Sequence, residues 1–93
     1  MEQGYILINK GDNVVTLLRD FEKGERINVS ELGIEFTLLD NVEFGHKVAI
    51  RVIRNGEKVI KYGESIGSST KEILPGEHVH IQNTVSDRGR GDQ

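Results

Sequence analysis

Apolar residues fall along this chain in short runs divided by glycine turns, and the spacing within each run predicts the element it forms. Tyr5-Ile6-Leu7-Ile8 is a strand-like run, closed by the turn formers Asn9-Lys10-Gly11-Asp12. The period then changes. Val14, Leu17, Leu18 and Phe21 stand at i, i+3, i+4 and i+7 behind Asp12 or Asn13, either of which can cap a helix N-terminus. One short helix is therefore predicted over 13 to 22, stopping at Lys23-Gly24, where glycine can take the left-handed conformation.

A small theme then occurs four times: an apolar residue, two variable residues, Gly, two polar residues, then Ile or Val. Its copies start at Phe21, Val42, Ile53 and Ile73, with glycines at 24, 45, 56 and 76, separated by 21, 11 and 20 residues. That spacing is too irregular for a solenoid and fits one turn type reused at strand entries. Pro75-Gly76 indicates the geometry, because a type II turn places Pro at its first central position and needs positive φ at its second. Between the turns lie strand candidates at Ile34 to Leu39, Lys47 to Ile53, Lys58 to Tyr62 and His78 to Asn83. The alternation of Val48, Ile50 and Val52 with Ala49, Arg51 and Ile53 suits a strand with one face toward a small core. Gly63 and Gly67 are expected to bracket a loop. The expected organisation is one domain over 1–85 and a disordered polar tail over 86–93, a segment with no apolar residue.

Composition supports a mostly β fold, since Val supplies nine and Ile ten of the apolar positions while Ala occurs once, at Ala49. At 93 residues the chain builds one small core, and a partner that covers more surface is expected. Absence of Cys removes disulfides, thiolate metal sites and a cysteine nucleophile, which fits a cytoplasmic location. A net charge of −3 with interspersed signs offers no basic stripe for nucleic acid. No long apolar run points to a membrane span, and the N-terminus lacks the basic and apolar regions of a signal peptide.

The candidate chemistry is confined to a few side chains. His46, His78 and His80 are the groups suited to near-neutral acid–base work or to nitrogen ligation. Strand alternation puts His78 and His80 on one face about 6–7 Å apart, so both could reach one divalent ion or one carboxylate; an exposed strand face is the plainer alternative. No Asp or Glu stands out as a third ligand, so a complete metal site is expected to need another chain. Lys47 and Lys61 can bind a carboxylate as cations, and Lys61 can act as a base if burial lowers its pKa; solvated strand lysines are the alternative. Tyr62 packs against the domain or its partner, and the polar segment 63–70 can offer N–H and hydroxyl groups to a polyol. That segment lacks the Gly-Lys-Ser/Thr ending of a phosphate loop.

Four motifs in order resemble one family: Gly45-His46-Lys47-Val48-Ala49, Val59-Ile60-Lys61-Tyr62-Gly63, Ile66-Gly67, and Gly76-Glu77-His78-Val79-His80-Ile81-Gln82-Asn83. Together with Asp12 to Asp20 and Gly24-Glu25, they make residues 5 to 84 similar to the small SAF-type β-clip domain of altronate dehydratases. Galactarate dehydratase and the small subunit of sulfolactate sulfo-lyase resemble it too. The resemblance implies a sugar-acid hydro-lyase in which this chain serves a separate large catalytic subunit and is inactive alone. It implies catalytic roles for His46, His78, His80 and Lys61, and substrate contacts at Lys47, Tyr62 and Asn83. A divalent metal, iron(II) or manganese(II), is then expected mainly on the large subunit, with His78 and His80 reaching it. Gln82 departs from the family pattern, where a third histidine is more usual. A sulfo-lyase small subunit and a non-enzymatic sugar-binding or assembly module are the alternative readings.

Overall fold

The computed structural model describes residues 4–87. Nine short strands run in order: β1 Tyr5–Ile6, β2 Val14–Leu17, β3 Arg26–Val29, β4 Ile34–Thr37, β5 Lys47–Ala49, β6 Lys58–Lys61, β7 Glu64–Ser69, β8 His78–Val79 and β9 Thr84–Ser86. A single turn of 3-10 helix, Ser30–Leu32, links β3 to β4. The central sheet has the order β1-β2-β5-β8, flanked by the β3-β4 hairpin and the three-stranded β6-β7-β9 sheet, with every pairing antiparallel. The mostly β expectation holds, and no helix among the described residues is long and apolar enough to cross a membrane.

The central sheet is buried on both faces. Val15, Leu17, Val48 and Ile50 pack with Ile27, Val29 and Phe36 of the β3-β4 hairpin in one core. Val14, Ala49 and Val79 pack with Ile53, Val59 and Ile73 in a second. Each such Val, Leu, Ile or Phe side chain contributes about 1.5–3 kcal/mol when fully withdrawn from water.

This double burial corrects the predicted helix over 13 to 22. Val14 and Val15 point to different cores, so the run is apolar at consecutive positions, and a short run of that kind imitates helical periodicity. Asp12 and Asn13 cap no helix. The buried Asp12 carboxylate accepts from Tyr62 N at 3.0 Å and Gly63 N at 2.8 Å, while Asn13 Oδ1 accepts from Ile60 N at 2.8 Å. These bonds tie the β6-β7 hairpin to the end of β2. The one-sided strand expected at Lys47 to Ile53 is likewise shorter, and Val48, Ala49 and Ile50 are all buried.

Nor do Gly63 and Gly67 bracket a loop. Tyr62 and Gly63 form a two-residue hairpin turn, both at positive φ (56° and 81°), as the twist of the flanking strands requires. Gly67 lies within β7, where any Cβ would overlap the Val85 carbonyl oxygen of β9. At the far end Ser86 still pairs with Gly67, and Asp87 N donates to Ile66 O at 3.1 Å. Residues 88 to 93 of the expected tail lie outside the described residues.

The four glycine turns interlock in pairs, which the sequence theme alone does not reveal. Phe21 bridges Val42, and Ile53 bridges Ile73. Gly24 N donates to Leu38 O while Gly45 N donates to Leu17 O, so each turn closes on the residue four before its partner's apolar anchor. The second pair repeats this, with Gly56 N to Ser69 O and Gly76 N to Ala49 O. All four glycines have φ between 85° and 97°, the positive-φ geometry expected from Pro75-Gly76.

Candidate functional site

Three of the four turns end in Gly-Glu, and the glutamate closes the turn on itself. Glu25 accepts from Glu22 N at 2.8 Å, Glu57 from Arg54 N at 2.7 Å and Glu77 from Leu74 N at 2.6 Å. The remaining turn keeps the backbone bond, His46 N to Glu43 O at 3.0 Å, but carries histidine where the others carry the closing carboxylate. The His46 ring turns to the neighbouring strand instead, with Nδ1 2.9 Å from His78 Nε2.

Strand pairing brings this about. Val48 of β5 faces His78 of β8 across the sheet, which places His46, two residues earlier, beside the His78 and His80 side. Ring centroids lie 5.0 Å apart for His46 and His78, and 5.4 Å for each pair involving His80, with His78 and His80 stacked at 12°. One nitrogen from each ring falls within 4.8 Å of the other two. His46 thus brings a third nitrogen donor beside the two expected from the strand.

The backbone under these rings is held by side chains. Asp40 accepts from His78 N at 3.0 Å, and Asn83 accepts from His80 N at 3.0 Å while its amide donates to His78 O at 2.9 Å. Burial pushes the His78 imidazole below its ordinary pKa, helped by His46, His80 and Lys47 and opposed by Asp40. The neutral imidazole, the form that accepts a proton or ligates a metal, is therefore favoured.

On the other side of β8 lies a cavity of about 370 Å³. Lys47, Lys61, His80, Thr84 and Ser86 supply its polar wall; Val59, Ile66, Val79, Ile81 and Val85 supply the apolar one. Among the described residues no carboxylate lines it. Burial, followed by repulsion from Lys61, lowers the Lys47 pKa, and among the described residues the space these two side chains share contains no counter-charge.

The expected site residues divide accordingly. His46, His78 and His80 form the cluster; Lys47 and Lys61 form the cavity's cationic wall; His80 belongs to both. Tyr62 does not line the cavity, and its ring meets the Lys61 ammonium at 4.9 Å. Asn83, expected as a substrate contact, is buried, and its side-chain amide bonds to the His78 and His80 backbone. Sequence reasoning missed Ile66, Thr84 and Val85, which belong to strands β7 and β9 in segments read as loop or left without an element.

Fold and site define a small antiparallel domain that presents an imidazole cluster beside a cationic cavity. The chain belongs to the altronate/galactarate dehydratase SAF domain family, whose model matches residues 3–87. It is similar to altronate dehydratase of Bacillus subtilis strain 168, 39% identical over 88% of this chain and 16% of the relative. To altronate dehydratase of Escherichia coli strain K12 it is 39% identical over 96% of this chain and 18% of the relative. It is also similar to the (2R)-sulfolactate sulfo-lyase subunit alpha of Chromohalobacter salexigens, 42% identical over 59% of this chain and 58% of that subunit. The chain thus spans under a fifth of the length of the altronate dehydratases it matches.

Proposed function

We propose that this chain is the small subunit of a sugar-acid hydro-lyase, binding the carboxylate end of a hexonic acid such as altronate for a separate large catalytic subunit. The observation that carries this reading is the pairing of Lys47 and Lys61 in one cavity that no carboxylate of the described residues lines. An anion seated between the two ammonium groups relieves their repulsion and gains charge-assisted hydrogen bonds. Thr84 Oγ1 donates its hydrogen to His80 O at 2.8 Å and keeps acceptor lone pairs for a polyol hydroxyl, and the apolar wall of Val59, Ile66 and Val79 excludes water.

Dehydration to a 2-keto-3-deoxy acid has a matching electrostatic demand. The C2–H bond breaks with its proton passing to a base, the C3–O bond breaks, and the hydroxyl leaves as water after gaining a proton. The resulting enol tautomerises to the keto acid. Negative charge that develops on the carboxylate as C2 loses its proton is stabilised by Lys47 and Lys61, while His80 at the cavity wall is placed to move a proton. A divalent metal, iron(II) or manganese(II), would stabilise the same charge when bound, and the histidine cluster offers nitrogen donors for it. The large subunit provides the rest of the acid–base machinery. Similarity to a sulfo-lyase subunit supports a second reading, in which the same carboxylate site serves a smaller acid that expels sulfite.

The test is co-purification with the large subunit, followed by turnover of altronate, galactarate and sulfolactate by wild type and by Lys47→Met and Lys61→Met. Each substitution should raise KM for the preferred acid about tenfold or more, the worth of one charge-assisted hydrogen bond. Unchanged kcat/KM in both variants with folding intact would contradict the reading.

A further inference from the structure

We infer that His46, His78 and His80 form a self-contained site for one divalent transition-metal ion, bound by this chain with no ligand from a partner. The reading shares residues with the lyase proposal yet does not depend on the reaction. Metal binding without lyase turnover would leave it standing and overturn only that proposal.

Three observations carry it. First, the donors converge: one nitrogen from each ring lies within 4.8 Å of the others, while nitrogens around a tetrahedral zinc at bonds of about 2.0–2.1 Å sit about 3.3 Å apart. The exposed His80 ring can close the difference by side-chain rotation, and the His46–His78 pair, hydrogen-bonded at 2.9 Å, has to open by a few tenths of an ångström as the ion displaces the shared proton. Second, the donors sit on a rigid frame. The β5–β8 pairing fixes His46 against His78, and the Asp40 and Asn83 bonds fix the backbone of His78 and His80. Third, His46 occupies the turn position that Glu25, Glu57 and Glu77 use to close their own turns, so histidine here gives up a local stabilising bond that the same backbone makes elsewhere.

The donor chemistry names the class of ion. Three imidazoles and no carboxylate suit zinc, cobalt, nickel, copper or iron(II) and not calcium or magnesium, which demand oxygen. Three protein ligands leave at least one coordination position for water or a substrate oxygen, as in catalytic rather than structural sites. His80 also lines the lysine cavity, so an ion on its ring stands at the edge of the space proposed for the carboxylate.

Titration of the metal-free 93-residue chain with cobalt(II), read by its visible ligand-field bands, and with zinc(II), read by calorimetry, tests the inference. The expected result is one ion per chain, tetrahedral or five-coordinate cobalt absorption, and an affinity loss of at least about 100-fold in His46→Ala, more than loss of an outer-shell partner costs. Imidazole nitrogen shifts in the wild-type NMR spectrum, followed as zinc is added, keep the test independent of whether any variant folds. Shifts at all three rings support the site. Absence of stoichiometric binding, or binding in which the His46 nitrogens do not move, would overturn it.

Discussion

The three turns at Gly24, Gly56 and Gly76 and the turn at Gly45 share one backbone and differ in the side chain that follows the glycine. In the first three, Glu25, Glu57 and Glu77 fold back on the turn, and their contribution is local. In the fourth, His46 leaves the turn and joins residues 32 positions away along the chain. A reused structural unit thus separates what the fold requires from what the site requires, because only the departure from the repeated pattern calls for a reason beyond folding.

The largest effect that would sharpen this contrast is at the glycines. Gly76→Ala puts a Cβ into the Thr37 carbonyl oxygen at a φ of 94°, whereas the same change at Gly56 meets open space and only the left-handed strain. Gly56→Ala should cost about 1–2 kcal/mol, and Gly76→Ala clearly more, up to loss of the folded state in chemical denaturation. Equal effects would show that the turns are not packed as described.

A smaller effect is expected from the closing carboxylates. Glu77→Ala removes the acceptor for Leu74 N and should lower stability by about 1 kcal/mol, a fall of about 4–8 °C in Tm, with no change in metal binding. Loss of metal affinity in that variant would erase the distinction between the two kinds of turn.

The smallest effect lies outside the turns, at Tyr5. Burial and the hydrogen bond to Glu31 push its phenol up to about 12, from an ordinary value near 10.0. The folded state therefore holds the Tyr5 proton more tightly than the unfolded chain. Its contribution is complete below about pH 10 and is lost as pH rises through about 12. Tyr5→Phe should flatten the stability profile in that window only, as read from denaturation midpoints across alkaline pH.

Much of this architecture is legible in the amino-acid pattern. Val and Ile enrichment and the four glycine turns specify strands and their entries, and the turn glycines do take positive φ. The N-terminal segment misleads because a strand buried on both faces carries no clean alternation, so Val14, Leu17 and Phe21 fit a helical period that tertiary burial overrides. Gly67 misleads because glycine marks a close approach of two strands there rather than a turn. At the site, His78 and His80 are recognisable from their alternate spacing. His46 joins them only through the β5–β8 pairing, which has no local sequence signature. Residue type and the Gly45-His46-Lys47 motif mark it as a candidate, and Gly-His where three sister turns have Gly-Glu is a further, comparative signal.

His46→Gln tests that central claim most directly, since its amide oxygen can accept the turn bond that Glu25, Glu57 and Glu77 accept, while the variant loses one imidazole and adds no carboxylate ligand for zinc. Thermal unfolding and zinc titration of this variant beside the wild type should show a Tm equal to or above the wild-type value, with zinc affinity lower by at least about 100-fold. A variant that melts well below the wild type, or that keeps its zinc affinity, would contradict the account of His46 as the one turn residue given over to the site.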